Sequence, residues 1–183
     1  MSSKLTARDI DPKYRKFVYS QDYTSTKSIK GVKIVPLHSI SSEEGDFSEI
    51  IRLNKGNLVQ LPFFKVAQVN RTRLLPGAIK AWHLHYRQDY VWYVSPFHHL
   101  VAGLWDLRKD SKTMGTTMRI VLGSGVSSLL FIPHGIAQGS IVVCNEPVDL
   151  YIFSNVQFDL KNLDEHRLPW DSLGKDFWSP QRD

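Results

Sequence analysis

The chain has 183 residues, of which 42% are hydrophobic and 22% charged, the composition of an ordinary globular protein with one sizeable core. Its single cysteine excludes an intrachain disulfide and a multi-cysteine zinc site, and no apolar run approaches the roughly 20 residues that a membrane span needs. The formal net charge is +5, but Lys and Arg are scattered, so we predict no nucleic-acid or membrane partner, whereas a phosphate-bearing small ligand fits.

Residues 1–30 are polar and show no clear periodicity, so we predict an N-terminal arm there and a single domain over residues 31–183. The first residues lack the apolar core of a secretory signal, which favours a cytoplasmic protein. No linker and no long repeat divides the rest of the chain.

From Gly31 onward, short runs rich in Val, Ile and Phe predict strands. Segment 41–46 predicts a turn or a single helical turn, because Ser and Asp favour caps and turns. The strand candidates are 32–37, 47–53, 57–74, 78–86, 89–96, 98–108, 118–122, 127–134, 140–145 and 148–158. The tail, 159–178, looks helical or irregular. Strand-like runs at intervals of about ten residues predict an all-β sandwich or barrel.

Two histidines on one strand are the strongest physical signal of a functional site. Period-two alternation in 78–86 gives one face with Ile79, Ala81, His83 and His85 and the other with Lys80, Trp82 and Leu84. Since inward-facing positions alternate along each strand of a closed sheet, the two histidines are predicted to line a pocket. Lys80 then points away from that pocket unless a bulge intervenes.

Two motifs resemble those of the cupins. Residues 77–85 read G-x(5)-H-x-H, followed by Asp89 where the first cupin motif has Glu, and 133–138 read P-x-G-x-x-Q, with Gln138 where the second has His. In metal-binding cupins these four positions hold the ion. Two His and a carboxylate suit Fe(II) or Mn(II), but Gln is a weak ligand, so we predict no bound metal.

A closer resemblance extends from Lys30 to Trp178. Successive segments are similar to those of dTDP-4-dehydrorhamnose 3,5-epimerases, namely 45–53, 68–83, 106–117, 131–139, 148–154 and 169–178. DLRKDSKT and the late WDSLG followed by a tryptophan are the most diagnostic. The resemblance implies a cupin-like double-stranded β-helix, or jelly roll, with a short irregular or helical tail. It also implies a homodimer that binds a dTDP-linked 4-keto-6-deoxysugar without a metal or cofactor.

The resemblance also implies roles for individual residues. His83 matches the base that removes a proton alpha to a keto group, Asp171 its orienting partner, and Tyr151 the proton donor. Lys80 matches an arginine that contacts the substrate. From the residues alone, Tyr151 could equally be a core aromatic and Asp171 a helix N-cap.

The chain departs from the family at the groups that stabilise the enolate. The segment of the family's lysine aligns with 89–92, which contains no lysine, and the family's second histidine falls on Gln138. A protonated His85 or Arg87 could substitute, so His85, Arg87, Lys80 and Gln138 are the predicted substrate-binding residues. The alternatives to a nucleotide-sugar epimerase are a metal-dependent cupin such as a dioxygenase, and a non-catalytic sugar-nucleotide-binding protein.

Overall fold

The computed structural model describes residues 4–20 and 27–180. A 3₁₀ helix, Ala7–Asp9, and the helix α1, Pro12–Arg15, precede the sheets, and a second 3₁₀ helix, Lys175–Trp178, lies near the end. The strands are β1 Lys33–Pro36, β2 Ser39–Ser42, β3 Gly45–Ser48, β4 Leu53–Asn54, β5 Asn57–Leu58, β6 Leu61–Lys65, β7 Gln68–Leu74, β8 Ile79–Leu84, β9 Tyr90–Val94, β10 His99–Asp106, β11 Thr117–Gly123, β12 Ser128–Ile132, β13 Ile136–Val142, β14 Val148–Ser154 and β15 His166–Arg167.

Two five-stranded antiparallel sheets form the body of the fold. The first has the order β1-β12-β9-β14-β7, and the second the order β11-β10-β13-β8-β15. Consecutive strands alternate between the sheets over much of the chain, which is the arrangement of a jelly roll. The prediction of an all-β fold is therefore confirmed. No helix within the described ranges has the length and apolar character that crossing a bilayer requires.

The main core fills the space between the two sheets. Trp92, Leu130 and Leu150 of the first sheet pack there with Leu104 and Ile136 of the second. Strands β4 to β6 cover the outer face of the first sheet, and the C-terminal segment with the buried Trp178 covers the outer face of the second. Because both outer faces are covered, β12 and β13 are buried at every position, and the pleat sends alternate side chains to the inner and the outer face.

A β-bulge in β8 sets which side chains of that strand face inward. Gln138 of β13 pairs with His83 and Ser140 pairs with Lys80, so two steps along β13 match three along β8. The extra residue brings Lys80 onto the face of His83. Ile79 and Ala81 pack instead on the outer face with Trp82, so the prediction that they share the face of His83 is wrong.

The DLRKDSKT segment has a structural role at the end of β10. The fully buried Asp106 accepts hydrogen bonds from Arg108 (2.8 and 2.9 Å), Ser111 (2.6 Å) and Thr113 (2.7 Å). Burial alone would raise the pKa of the Asp106 carboxyl, but these donors together hold it well below the usual range. Arg108 also donates to the Lys30 carbonyl at 2.6 Å, which fastens the lead-in to the sheet.

Segment 41–46, predicted to be a turn or a single helical turn, contains a turn, at the tip of the β2–β3 hairpin. Two other local expectations differ from the structure. The tail contains a strand, β15, which pairs with the end of β8. Ile29, assigned to the arm from the sequence, packs in the main core and is 2% exposed. The division of the chain at residue 31 stays a prediction.

Candidate active site

A cavity of about 450 Å³ opens between the two sheets beside the bulge of β8. Its walls come from β7, β9 and β14 of the first sheet and from β8, β13 and β15 of the second. The lining residues are Asn70, Arg71, Thr72, Lys80, His83, His85, Tyr90, Trp92, Gln138, Ser140, Leu150, Ile152, Glu165 and Arg167. The volume lies within the range of small-molecule sites.

His83 is held by one neighbour on each ring nitrogen. Nδ1 lies 3.0 Å from Oε1 of Glu165, and Nη1 of Arg167 lies 2.8 Å from Nε2. A guanidinium only donates, so Nε2 is the acceptor in this contact and Nδ1 carries the proton that is donated to Glu165. The two contacts therefore select a neutral tautomer whose basic atom is Nε2.

The pKa of His83 is lowered to about 4, first by burial and then by the charge of Arg167, while Glu165 opposes the shift. Burial would raise the pKa of the Glu165 carboxyl, but the protonated form of His83 and the charge of Arg167 together lower it below its usual range. Glu165 is thus a carboxylate and His83 a free base at neutral pH.

Lys80 and His85 both line the cavity. Strand alternation predicted this for His85, whereas for Lys80 only the family resemblance implied it. Nζ of Lys80 donates to Oγ1 of Thr72 on the opposite sheet at 3.2 Å. Nδ1 of His85 is hydrogen-bonded to the main-chain carbonyl of Asp164, and the His85 ring packs edge-on against Tyr90. Burial lowers the pKa of His85, so His85 is neutral and does not replace the cation that the family places here.

Two buried polar atoms on the cavity wall have no hydrogen-bond partner among the described residues. They are Oε1 of Gln138 and Nε1 of Trp92, in side chains that are 3% and 5% exposed. An unpaired buried polar group costs roughly 1–3 kcal/mol. Both residues line the cavity, although neither of these two atoms is itself exposed to it.

Tyr151, the predicted proton donor, does not line the cavity. Leu150 and Ile152 of β14 face the interior, so Tyr151 between them lies on the outer face, where it packs with Tyr93. The prediction that Tyr151 reaches a ligand in this cavity is wrong. The tyrosine that lines the cavity is Tyr90 of β9.

Tyr90 belongs to the sheet opposite β8, and its hydroxyl accepts a hydrogen bond of 2.7 Å from Nε2 of Gln88. Burial raises the pKa of Tyr90, so the phenol keeps its proton at neutral pH. Tyr90 stands within the segment 89–92, in which the sequence showed no lysine.

Asp171, the predicted partner of His83, is exposed, and no side-chain hydrogen bond of Asp171 to His83 occurs in the described part of the chain. Glu165 occupies that role. The carboxylate of the preceding residue, Asp164, accepts from the main-chain N–H groups of Tyr86 (3.0 Å) and Arg87 (2.9 Å), so it ties this segment to the end of β8. The pairing of His83 with Asp171 is corrected accordingly.

A second cleft of about 960 Å³ adjoins the cavity and shares with it Asn70, His85, Tyr90 and Glu165. Five of its eleven other lining residues carry amide side chains. Arg87, predicted to bind substrate, lies in this cleft, where it donates to Oδ1 of Asn162 at 3.0 Å. The exposed Phe158 adds an aromatic surface.

The four positions of the cupin metal motif do not all face one point. His83, His85 and Gln138 line the cavity. The Asp89 carboxylate is instead bound by the main-chain N–H and ring of His134 (2.8 and 2.7 Å) and by Asn155. Within the described ranges, no group of three or more His, Cys, Asp and Glu side chains is placed to hold a metal ion.

Comparison with known proteins identifies the family. The family model described as dTDP-4-dehydrorhamnose 3,5-epimerase matches residues 26–174. The chain is 36% identical over 143 residues to the spore coat polysaccharide biosynthesis protein SpsL of Bacillus subtilis, and the match covers 78% of this chain and 91% of that protein.

Solved structures share the fold. NovW, a 4-keto-6-deoxy sugar epimerase of Streptomyces spheroides, is 18% identical with a TM-score of 0.70, over 85% of this chain and 78% of that one. The dTDP-4-dehydrorhamnose 3,5-epimerase of Bacillus anthracis, with TDP and PPi bound, is also 18% identical with a TM-score of 0.70, over 86% and 90%. The family match spans most of the chain and agrees with both the fold and the relationship to SpsL, so this chain belongs to the dTDP-4-dehydrorhamnose 3,5-epimerase family.

Proposed function

We propose that this chain is a sugar-nucleotide epimerase that removes and returns the proton alpha to the keto group of a nucleotide-linked 4-keto-6-deoxysugar. The observation that carries the proposal is the position of His83 on the cavity wall, with Nδ1 bonded to Glu165 and Nε2 as the basic atom. Family membership supports the reaction class, and the action of NovW on a 4-keto-6-deoxy sugar supports the kind of substrate.

In the proposed reaction, Nε2 of His83 takes the proton from the carbon beside the keto group. The electron pair of that C–H bond forms a C=C bond, and the negative charge moves to the keto oxygen. Glu165 stabilises the imidazolium that results. Tyr90, from the opposite sheet, gives its proton to the other face of the carbon, the new C–H bond forms and the keto group returns. Solvent then takes the proton from His83 and returns one to Tyr90, so the net change is an isomerisation with no oxidation.

The adjoining cleft is the proposed place of the nucleotide. It opens directly from the cavity, since Asn70, His85, Tyr90 and Glu165 line both, and its amides offer donors and acceptors to a base and a ribose. The TDP bound by the Bacillus anthracis relative supports this choice of ligand.

The proposal is tested in two steps. A thermal-shift screen with nucleoside diphosphates and nucleotide sugars identifies ligands, because a ligand present at 100 times its Kd stabilises the native state by about 2.7 kcal/mol. The binding ketosugar is then incubated with the protein in heavy water, and mass spectrometry measures incorporated deuterium. We expect incorporation with the wild type and none with His83→Asn.

The two alternatives correspond to other outcomes. Binding of such sugars without deuterium incorporation would make the chain a non-catalytic sugar-nucleotide-binding protein. Near-stoichiometric iron or manganese in protein purified without chelator, together with no exchange, would favour a metal-dependent cupin. A matched variant, His98→Asn, alters a histidine outside the cavity lining and should exchange at the wild-type rate.

A homodimer is part of the same proposal. Apolar side chains in the N-terminal half support it, because Ile40 of β2, Phe47 of β3 and Phe63 of β6 are each more than half exposed. Sedimentation at micromolar concentration should show a dimer, and a monomer alone would contradict it. A cytoplasmic location stays a prediction, which cell fractionation checks.

A further inference from the structure

The proposed reaction, on which this inference rests, needs a positive group near the keto oxygen. When the alpha proton leaves, that oxygen gains a full charge, and a fixed donor there contributes a factor of about 10²–10³ in rate. His85 is neutral. The cations of the lining are Arg71, Lys80 and Arg167. Each has a partner: Arg71 pairs with Asp149 at 2.7 Å, Lys80 donates to Thr72 at 3.2 Å, and Arg167 pairs with Glu165.

Arg167 is the cation in direct contact with the base. Its Nη1 lies 2.8 Å from Nε2 of His83, and its Nη2 lies 2.8 Å from Oε1 of Glu165. Nε2 is the atom that has to meet the substrate C–H bond. The guanidinium therefore occupies the space that the reacting carbon and its neighbouring carbonyl would fill.

The Arg167 side chain has room to turn. It belongs to the edge strand β15, directly opposite His83 in β8, and is 54% exposed. Its contact with Glu165 can persist while the end that touches Nε2 moves. A guanidinium carries five donors in a planar fork, so Arg167 can bind a carboxylate and a carbonyl oxygen at once.

We propose that Arg167 covers the basic nitrogen of His83 in the free protein, turns aside when a ketosugar binds, and donates to the keto oxygen, where it stabilises the enolate. Arg167 thereby supplies the positive charge that is missing because segment 89–92 lacks the family's lysine and Gln138 replaces its second histidine. Departure of the guanidinium from Nε2 also frees the base in the same movement that positions the stabilising charge.

Removal of the guanidinium is the direct test. Arg167→Met should lower the kcat of deuterium exchange about 10²–10³-fold with a smaller change in KM, because the lost contact forms fully only with the enolate. Arg167→Lys should keep part of the rate, and added methylguanidine should restore part of it in Arg167→Met. Arg73→Met removes an exposed arginine of β7 outside the cavity lining and should exchange at the wild-type rate.

A second readout needs no substrate. The charged groups that face His83 are Glu165, Arg167 and Lys80. Loss of Arg167 should raise the pKa of His83, measured by NMR titration of the ring protons, whereas Arg73→Met should leave it unchanged. A melting temperature close to that of the wild type confirms that each variant is folded.

The outcomes separate the inference from the function on which it rests. An unchanged or higher kcat in Arg167→Met, with exchange by the wild type intact, overturns the role of Arg167 and leaves the epimerase proposal standing. An unchanged pKa of His83 in that variant overturns the contact itself. Absence of exchange in the wild type overturns the proposed function, and the role of Arg167 with it.

Discussion

Nδ1 of His83 lies 3.0 Å from Oε1 of Glu165, although the two residues are 82 positions apart in the chain. The contact exists because β15 pairs with the end of β8 and so carries the preceding residue, Glu165, to the cavity edge. Glu165 fixes the proton of His83 on Nδ1, which leaves Nε2 free of a proton. The contact thus joins the C-terminal segment to the chemistry of the site.

Glu165→Gln should lower the kcat of exchange roughly 10²-fold, because a neutral amide neither fixes the ring as strongly nor stabilises the imidazolium. Asp171→Asn removes the exposed carboxylate that the sequence had suggested, and its kcat should stay within about twofold of the wild type. Steady-state exchange rates decide between the two carboxylates. A large loss in Asp171→Asn together with a small one in Glu165→Gln would reverse the assignment.

Tyr90→Phe should separate proton exchange from inversion. With the base intact and the opposite acid removed, His83 can still take a proton and return it to the same face, so deuterium enters while the configuration is retained. Tyr151→Phe alters a tyrosine on the outer face of the first sheet and should leave inversion at the wild-type rate. Product configuration is measured by proton NMR. Inversion by Tyr90→Phe at the wild-type rate would exclude Tyr90 as the donor.

The alternation of residues in 78–86 predicted correctly that His83 and His85 face one pocket and that Trp82 lies on the other side. It failed at Lys80, because a one-residue bulge shifts the register and moves side chains to the opposite face. That bulge depends on the pairing of β8 with β13, which the local sequence does not contain. The possibility of a bulge was visible from the sequence, but its position was not.

Tyr151 and Asp171 show a second limit of the sequence. An apolar run such as that of β14 does not reveal which of its two faces is the interior, because Leu150 and Tyr151 are both compatible with a core. Glu165 and Arg167 reach the site through a two-residue strand in a tail that has no β periodicity. Their partner, His83, lies more than 80 residues away in the chain. The one available signal of a site was that two residues of opposite charge, Glu165 and Arg167, occur close together in the tail.

The low pKa of His83 predicts a wide pH range of activity. Since kcat/KM reports the groups of the free enzyme, it should stay level from about pH 8 down to about pH 5. Below the His83 pKa of about 4, it should fall roughly tenfold for each pH unit. An unshifted histidine would begin to lose activity near pH 6.5. A profile that bends near pH 6.5 would show that burial and Arg167 do not lower the pKa of His83 in solution.

The same shift links stability to pH. The folded-state pKa of His83 lies below that of the unfolded chain, so the unfolded state binds more protons between about pH 6.5 and pH 4. The contribution of His83 is complete above pH 6.5 and is lost as the pH falls through this window. His83→Asn should therefore lose less stability than the wild type between pH 6.5 and pH 4.5 in urea titrations. The pKa of His85 is also lowered, so in both the wild type and His83→Asn this residue makes the free energy of unfolding fall as the pH falls.

Gly139 should be essential for the geometry of the bulge. A Cβ built on Gly139 would lie 2.9 Å from Cα of Ala81, in the backbone that places Lys80 and His83 on one face. Gly103, on the same outer face of the second sheet, is equally crowded, with a Cβ 2.6 Å from the Trp178 ring. Both glycines have ordinary φ angles, so each alanine variant tests packing alone.

Gly139→Ala and Gly103→Ala should each lower the free energy of unfolding by about 1–3 kcal/mol, because an added methyl group has no space in either place. Urea denaturation measures this loss. At a temperature where both variants are folded, Gly139→Ala should in addition lower kcat/KM for deuterium exchange, since the backbone of Ala81 must move and takes Lys80 and His83 with it. Gly103→Ala should keep the wild-type value, because its clash falls on Trp178 and not on β8. Equal kcat/KM values in the two variants would show that the position of His83 does not depend on the close approach of Gly139 and Ala81.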